Sequence, residues 1–142
     1  MKLTSPEFEH GADIPKKFSC KGSDINPELH IEGIPPESKS LALIVDDPDA
    51  PGKTFVHWVV FNMPLKDKIG ENSVPGLQGV NDFGNINYGG PCPPSGAHRY
   101  FFKLYALDKE LDLQEGATKQ DVEQAMQGNI LAECELMGLF AK

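Results

Sequence analysis

Over residues 1–105 the apolar positions fall in short runs punctuated by glycine and proline, the pattern of a β-rich chain. Strands are expected at 29–32, 40–46, 55–63 and 99–107. The run Leu41-Ala42-Leu43-Ile44-Val45 has no polar interruption, as in a strand covered on both faces. In 99–107 aromatic residues occupy both parities, which also suits a central strand. Within 55–63 a period of two places Phe55, His57, Val59 and Phe61 on one face and Val56, Trp58 and Val60 on the other. Residues 66–87 are rich in Gly, Asn and Asp and weakly periodic, so a long surface loop is expected. Helical patterning comes late: Thr118-x-x-Asp121 resembles a capping arrangement opening a helix over 119–126, and a second helical pattern covers 130–136. No repeat or linker divides the chain. The expected fold is mainly β, a single domain over 1–142 with a few short peripheral helices and C-terminal helical segments.

Composition narrows the function. A chain of 142 residues buries on the order of 70% of its unfolded surface without staples. Its 39% hydrophobic and 24% charged content are ordinary for a globular domain. No apolar run approaches the roughly 20 residues that span a bilayer, so no integral membrane association is expected. The opening Met1-Lys2-Leu3-Thr4-Ser5-Pro6-Glu7 has no apolar signal core, which makes cytoplasm the expected location. A formal charge of −8 disfavours nucleic acid. Any bound anion must be small and recognised locally. Cys20, Cys92 and Cys134 are odd in number and contain no Cys-x-x-Cys pair, so reduced thiols are expected.

The candidate chemistry lies where strands meet stiff loops. Residues 88–100 set Gly89, Gly90, Pro91, Pro93 and Pro94 beside His98, Arg99 and Tyr100. Glycine permits close main-chain approach and proline limits the entropy lost on binding. Upstream, Asp47 ends a strand at a proline-rich turn, and His57 interrupts an apolar strand. An isolated histidine in such a strand is more often a core residue satisfied by a carbonyl. Two histidines and a carboxylate at strand ends beside rigid loops instead suggest one site. Asp49 reads as a turn residue pairing with Arg99, and Tyr100 divides between a ligand hydroxyl and a core aromatic. Three rivals accompany this reading. His57, His98 and Asp47 match a two-histidine, one-carboxylate zinc set that activates water. Cys92, between two prolines, is a candidate reactive thiol. Ser95 near His98 lacks the elbow motif of serine hydrolases.

The segments Asp47-Pro48-Asp49-Ala50-Pro51, His57-Trp58-Val59-Val60-Phe61-Asn62, Tyr88-Gly89-Gly90-Pro91-Cys92-Pro93-Pro94 and His98-Arg99-Tyr100 closely resemble the phosphatidylethanolamine-binding protein (PEBP) family. The resemblance is to its bacterial and archaeal YbhB/YbcL branch, also called Raf kinase inhibitor-like proteins. It continues through Ile130-Leu131-Ala132-Glu133 and Leu136-Met137-Gly138, nearly the whole chain in order. It implies a PEBP-like β-sandwich with a small surface cavity for phosphate-like groups. By motif the ligand-binding set is Asp47, His57, the Gly90–Pro91 main chain, His98 and Tyr100, with Asp49 and Arg99 supporting it. His30 and Asn129 depart from the residues many relatives carry there, and neither lies in a pocket motif.

The expected activity is binding of a phosphate monoester or phospholipid head group, without catalysis and without a cofactor. A metal-dependent hydrolase using His57, His98 and Asp47 is the alternative. The resemblance also leaves room for a protein partner such as a kinase, or for a homodimer, through the 66–87 loop and the rim at Pro91. Because Asp47 repels a dianion, affinity for a phosphate monoester is expected to rise as pH falls toward about 6.

Overall fold

The computed structural model describes all 142 residues. Eight strands and one α-helix form in the order β1 (Lys2–Thr4), β2 (Leu29–Glu32), β3 (Ser40–Asp47), β4 (Phe55–Met63), β5 (Lys68–Ile69), β6 (Leu77–Gln78), β7 (Ala97–Leu107), α1 (Lys119–Met126) and β8 (Ile130–Ala141). A 3₁₀ turn occupies Lys16–Phe18. The strands pair antiparallel into a three-stranded sheet, β1-β2-β5, and a five-stranded sheet, β6-β4-β3-β7-β8.

All eight residues of β3 are buried, as its uninterrupted apolar run predicts. Leu41, Leu43 and Val45 enter the larger core beside Leu3, Leu29 and Ile31 of the small sheet. Ala42 and Ile44 enter a second core with Val122 and Met126 of α1. The large sheet is therefore packed on both faces at β3 and β4, while β7 and β8 leave alternate residues partly exposed on one face. The helix over 119–126 forms with the expected capping box: Asp121 N–H donates to Thr118 Oγ1, and Thr118 N–H donates to the Asp121 carboxylate.

Two expectations give way. The helical pattern at 130–136 is instead the start of β8, which pairs with β7 from Leu107↔Ile130 to Ala97↔Ala141. Ala132, Cys134, Leu136 and Phe140 all turn to the large core, a period of two that the leucines and glutamates disguise as helical. Pairing along the whole of β7 outweighs their intrinsic helix preference. The 66–87 segment is likewise more than a surface loop. It contributes β5 and β6, and Ile69, Gln78 and Asn81 are buried.

The cysteines also differ from expectation. Cys20 and Cys92 form a disulfide, with Cα atoms 5.5 Å apart across 72 residues of sequence, and only Cys134 is free. Spacing along the chain carries no information about that proximity, because it arises when the 3₁₀ turn packs against the 88–93 loop.

Candidate functional site

At one end of the large sheet lies a cavity of about 310 Å³. It is lined by Asp47 from the end of β3, Phe55 and His57 from the start of β4, and His98 and Tyr100 from the start of β7. Ala50 and Pro51, Phe83, and Cys92, Pro93 and Pro94 complete its walls. Antiparallel pairing explains the convergence. In the registers Asp47↔Phe55 and Asp46↔Phe101, three chain-distant strand ends come level.

His57 reaches the cavity because β4 is irregular there. Val45 pairs with Trp58 but Asp46 pairs with Val56, so His57 is an extra residue in the ladder. Such a bulge re-aims a side chain. Strict alternation would group His57 with Val59 and Phe61, yet those two pack toward α1 in the second core while His57 lines the cavity. The bulge is held by Gly89, whose N–H donates to the His57 carbonyl and whose carbonyl accepts from His57 Nδ1 at 2.7 Å.

With Nδ1–H committed to Gly89, Nε2 is the remaining polar atom of the His57 ring. The residue is 3% exposed, and burial lowers its pKa from the usual 6.5, opposed more weakly by the Gly89 carbonyl and the Asp47 charge. His57 is thus neutral at pH 7. The unfolded chain takes up this proton first as pH falls below 6.5, so the native state loses stability from there down to the lowered native pKa. Urea unfolding between pH 7.5 and 5.5 should show that loss, at most about 1.4 kcal/mol per pH unit from this group. His57→Gln, which keeps a donor for Gly89 but does not titrate, should show a shallower slope.

His98 is oriented differently. Its Nδ1 lies 2.6 Å from Asp47 Oδ2, and Asp47 Oδ1 accepts the Asp49 N–H at 2.7 Å. Both carboxylate oxygens are therefore occupied inside the protein, and Asp47 serves to fix the imidazole. Tyr100 packs against both histidines, with ring centroids 5.2 Å from His57 and 6.4 Å from His98. It is both a core residue and a cavity wall. Burial raises its phenol pKa, so the hydroxyl keeps its proton at neutral pH.

Arg99 points away from this set. Its Nε and Nη2 donate to the two oxygens of Asp49, and its N–H also donates to Asp49. The guanidinium holds the Asp49 carboxyl down to about 2. This pair ties the 48–51 turn to β7 just outside the cavity. No lysine or arginine is among the lining residues.

Gly90 and Pro91 do not line the cavity. The Gly90 N–H donates to Asp24 Oδ1, and the Pro91 carbonyl accepts from the Cys20 N–H. Their main chain braces the wall from behind. Cys92, expected as a thiol, presents a disulfide sulfur. The metal set is not formed either: no three His, Cys, Asp or Glu side chains come together as a cation site. Asp47 Oδ2 is directed at His98 Nδ1, not toward a point shared with both imidazoles.

Phe83 is the lining residue that sequence patterning misses. It stacks edge-on against Phe55 and His57, with centroids 4.8 and 5.4 Å away. Asn81 sets its position: Oδ1 accepts the Phe83 and Asn85 N–H groups, while Nδ2 donates to the Asn87 carbonyl. Phe83 is 44% exposed and forms part of the apolar rim.

Known proteins share the sequence and the fold of this chain. A family model described as phosphatidylethanolamine-binding protein matches residues 4–141. A UPF0098 protein of Methanothermobacter thermautotrophicus is 49% identical, over all of this chain and 99% of its own length. One from Aquifex aeolicus is 47% identical, over all of this chain and 89% of its own. Among solved structures, a PEBP homologue from Chlamydia trachomatis superposes with a TM-score of 0.95 at 44% identity, covering 99% and 97% of the two chains. E. coli YbcL, described as a member of the mammalian PEBP family, superposes with a TM-score of 0.92 at 29% identity, covering 99% and 98%. No helix is long and apolar enough to cross a membrane.

Proposed function

Since the chain belongs to the phosphatidylethanolamine-binding protein family, we propose that its cavity holds the phosphate of a small monoester or lipid head group and leaves it chemically unchanged. One observation carries the reading. Two imidazoles line a single cavity with Nδ1 already committed, His57 to Gly89 and His98 to Asp47, so that each has only Nε2 left for a ligand. His98, donating Nδ1–H to Asp47, presents Nε2 as an acceptor when neutral and as a donor when protonated. Neutral His57 presents an acceptor, which a protonated phosphate oxygen can satisfy.

The polarity of the site selects the ligand's charge state. Asp47 is the one carboxylate in the lining, no cationic side chain lines it, and His57 is held neutral. A phosphate dianion would meet the Asp47 charge with no lysine or arginine in the lining to offset it. A monoanion can bring its own proton, and phosphate monoesters gain that proton near pH 6. Affinity for phenyl phosphate, measured by titration calorimetry, should therefore rise at least several-fold between pH 8 and pH 6. A flat profile would reject the proposed site. Phosphate, O-phosphoethanolamine and phenyl phosphate compared at pH 6 would show how far the apolar rim of Phe55, Phe83 and Pro51 adds to head-group affinity.

A further inference from the structure

We propose that the Cys20–Cys92 disulfide is a reversible thiol-exchange site that sets the shape of the cavity wall, so that opening it weakens ligand binding. The effect on binding rests on the phosphate reading above; the effect on the wall does not. Cys92 lines the cavity between buried Pro91 and Pro93, whereas its partner Cys20 lies outside, in the segment following the 3₁₀ turn. Both half-cystines are exposed, and neither belongs to the hydrophobic cores. A thiol reagent can reach them without unfolding, and exposed disulfides are the exchangeable ones.

The surroundings of the bond are arranged to survive its opening. Three hydrogen bonds join the same two segments independently: Cys20 N–H to the Pro91 carbonyl, Gly90 N–H to Asp24 Oδ1, and Tyr88 Oη–H to the Phe18 carbonyl at 2.7 Å. Phe18 is fully buried and anchors the turn to the large core. Opening the disulfide leaves the fold anchored but frees the Cys92 side chain and loosens the wall between Gly90 and Pro94. A binding wall that must be ordered by the ligand binds it less tightly.

The chemistry requires a dithiol reductant. One of its thiolates attacks Cys20 Sγ, the Cys20–Cys92 bond breaks, and Cys92 departs as a thiolate that takes up a proton. The reductant's second thiol then attacks its own sulfur in the mixed disulfide and expels Cys20. The protein gains two electrons and two protons, and the dithiol becomes a cyclic disulfide.

The test compares protein purified without reductant, the same sample reduced with dithiothreitol, and Cys20→Ser, which removes the bond without substituting any residue that lines the cavity. Mass spectrometry counts free thiols, circular dichroism checks folding, titration with phenyl phosphate reads binding, and hydrogen exchange reads the Cys20 and Gly90 amides. Reduction and Cys20→Ser should each weaken phenyl phosphate at least tenfold and speed exchange at both amides, and reoxidation should restore wild type. Three results would overturn the proposal: no disulfide in the unreduced protein, loss of the fold on reduction, or unchanged exchange and affinity with the bond open. If the oxidised protein does not bind phenyl phosphate at all, the phosphate reading fails, and exchange alone decides: faster exchange supports the switch and unchanged exchange ends it.

Discussion

His98→Ala is expected to weaken phenyl phosphate binding by roughly ten- to a hundredfold, the value of one hydrogen bond to a charged group, about 1.5–3 kcal/mol. The same substitution removes the partner of Asp47 Oδ2, whose side chain is only 4% exposed. Leaving a buried carboxylate without its partner costs about 3–5 kcal/mol, so the variant should also unfold at lower urea concentration. The two effects separate in the double variant His98→Ala, Asp47→Ala. Removing both partners takes away the unsatisfied charge and should recover part of the stability, while binding stays lost. Calorimetry and urea melts on the two variants check this. Recovery of affinity in the double variant would mean that His98 only shields Asp47 and does not touch the ligand.

Much of this site was legible before the fold was known, for a physical reason. Asp47 and His98 sit where apolar strands give way to proline-rich turns, and a polar side chain at such a boundary has few roles other than turn capping or a site. Local signals likewise marked α1, because the Thr118 and Asp121 cap is contained within four residues. What escaped was set by contacts between distant segments. The face of His57 depends on a bulge formed against β3, and no pattern inside 55–63 announces it. Phe83 is placed by the hydrogen bond its N–H donates to Asn81 Oδ1, inside a segment with no periodicity. Cys20 meets Cys92 only because the 3₁₀ turn docks on the wall, and β8 is a strand only because β7 lies beside it. The family resemblance singled out the loop that supplies Cys92, Pro93 and Pro94 to the cavity wall, whereas the Gly90 and Pro91 main chain it also named bonds to Asp24 and Cys20 outside the lining.

That bracing role makes Gly90→Ala the most damaging small substitution near the cavity. A Cβ built there would lie 2.2 Å from the Phe18 carbonyl oxygen, 2.6 Å from Asp24 Oδ1 and 3.0 Å from Ser19 Cα. Two of these are main-chain atoms of a turn whose Phe18 ring is fully buried, so the neighbour cannot swing aside. Displacing Phe18 also strains its bond from Tyr88 Oη, and displacing Asp24 abandons the Gly90 N–H. The cost should reach the upper end of overpacking penalties, about 3 kcal/mol, or roughly 10 °C in Tm for a domain of this size. Gly96→Ala in the following turn is the control. Its Cβ would meet nothing within 4 Å, so only the strain of φ 66° applies, about 1 kcal/mol. If thermal melts show Gly90→Ala no worse than Gly96→Ala, the wall is not pressed against the turn. The cavity would then lack the rigid backing that makes its shape sensitive to the disulfide behind it.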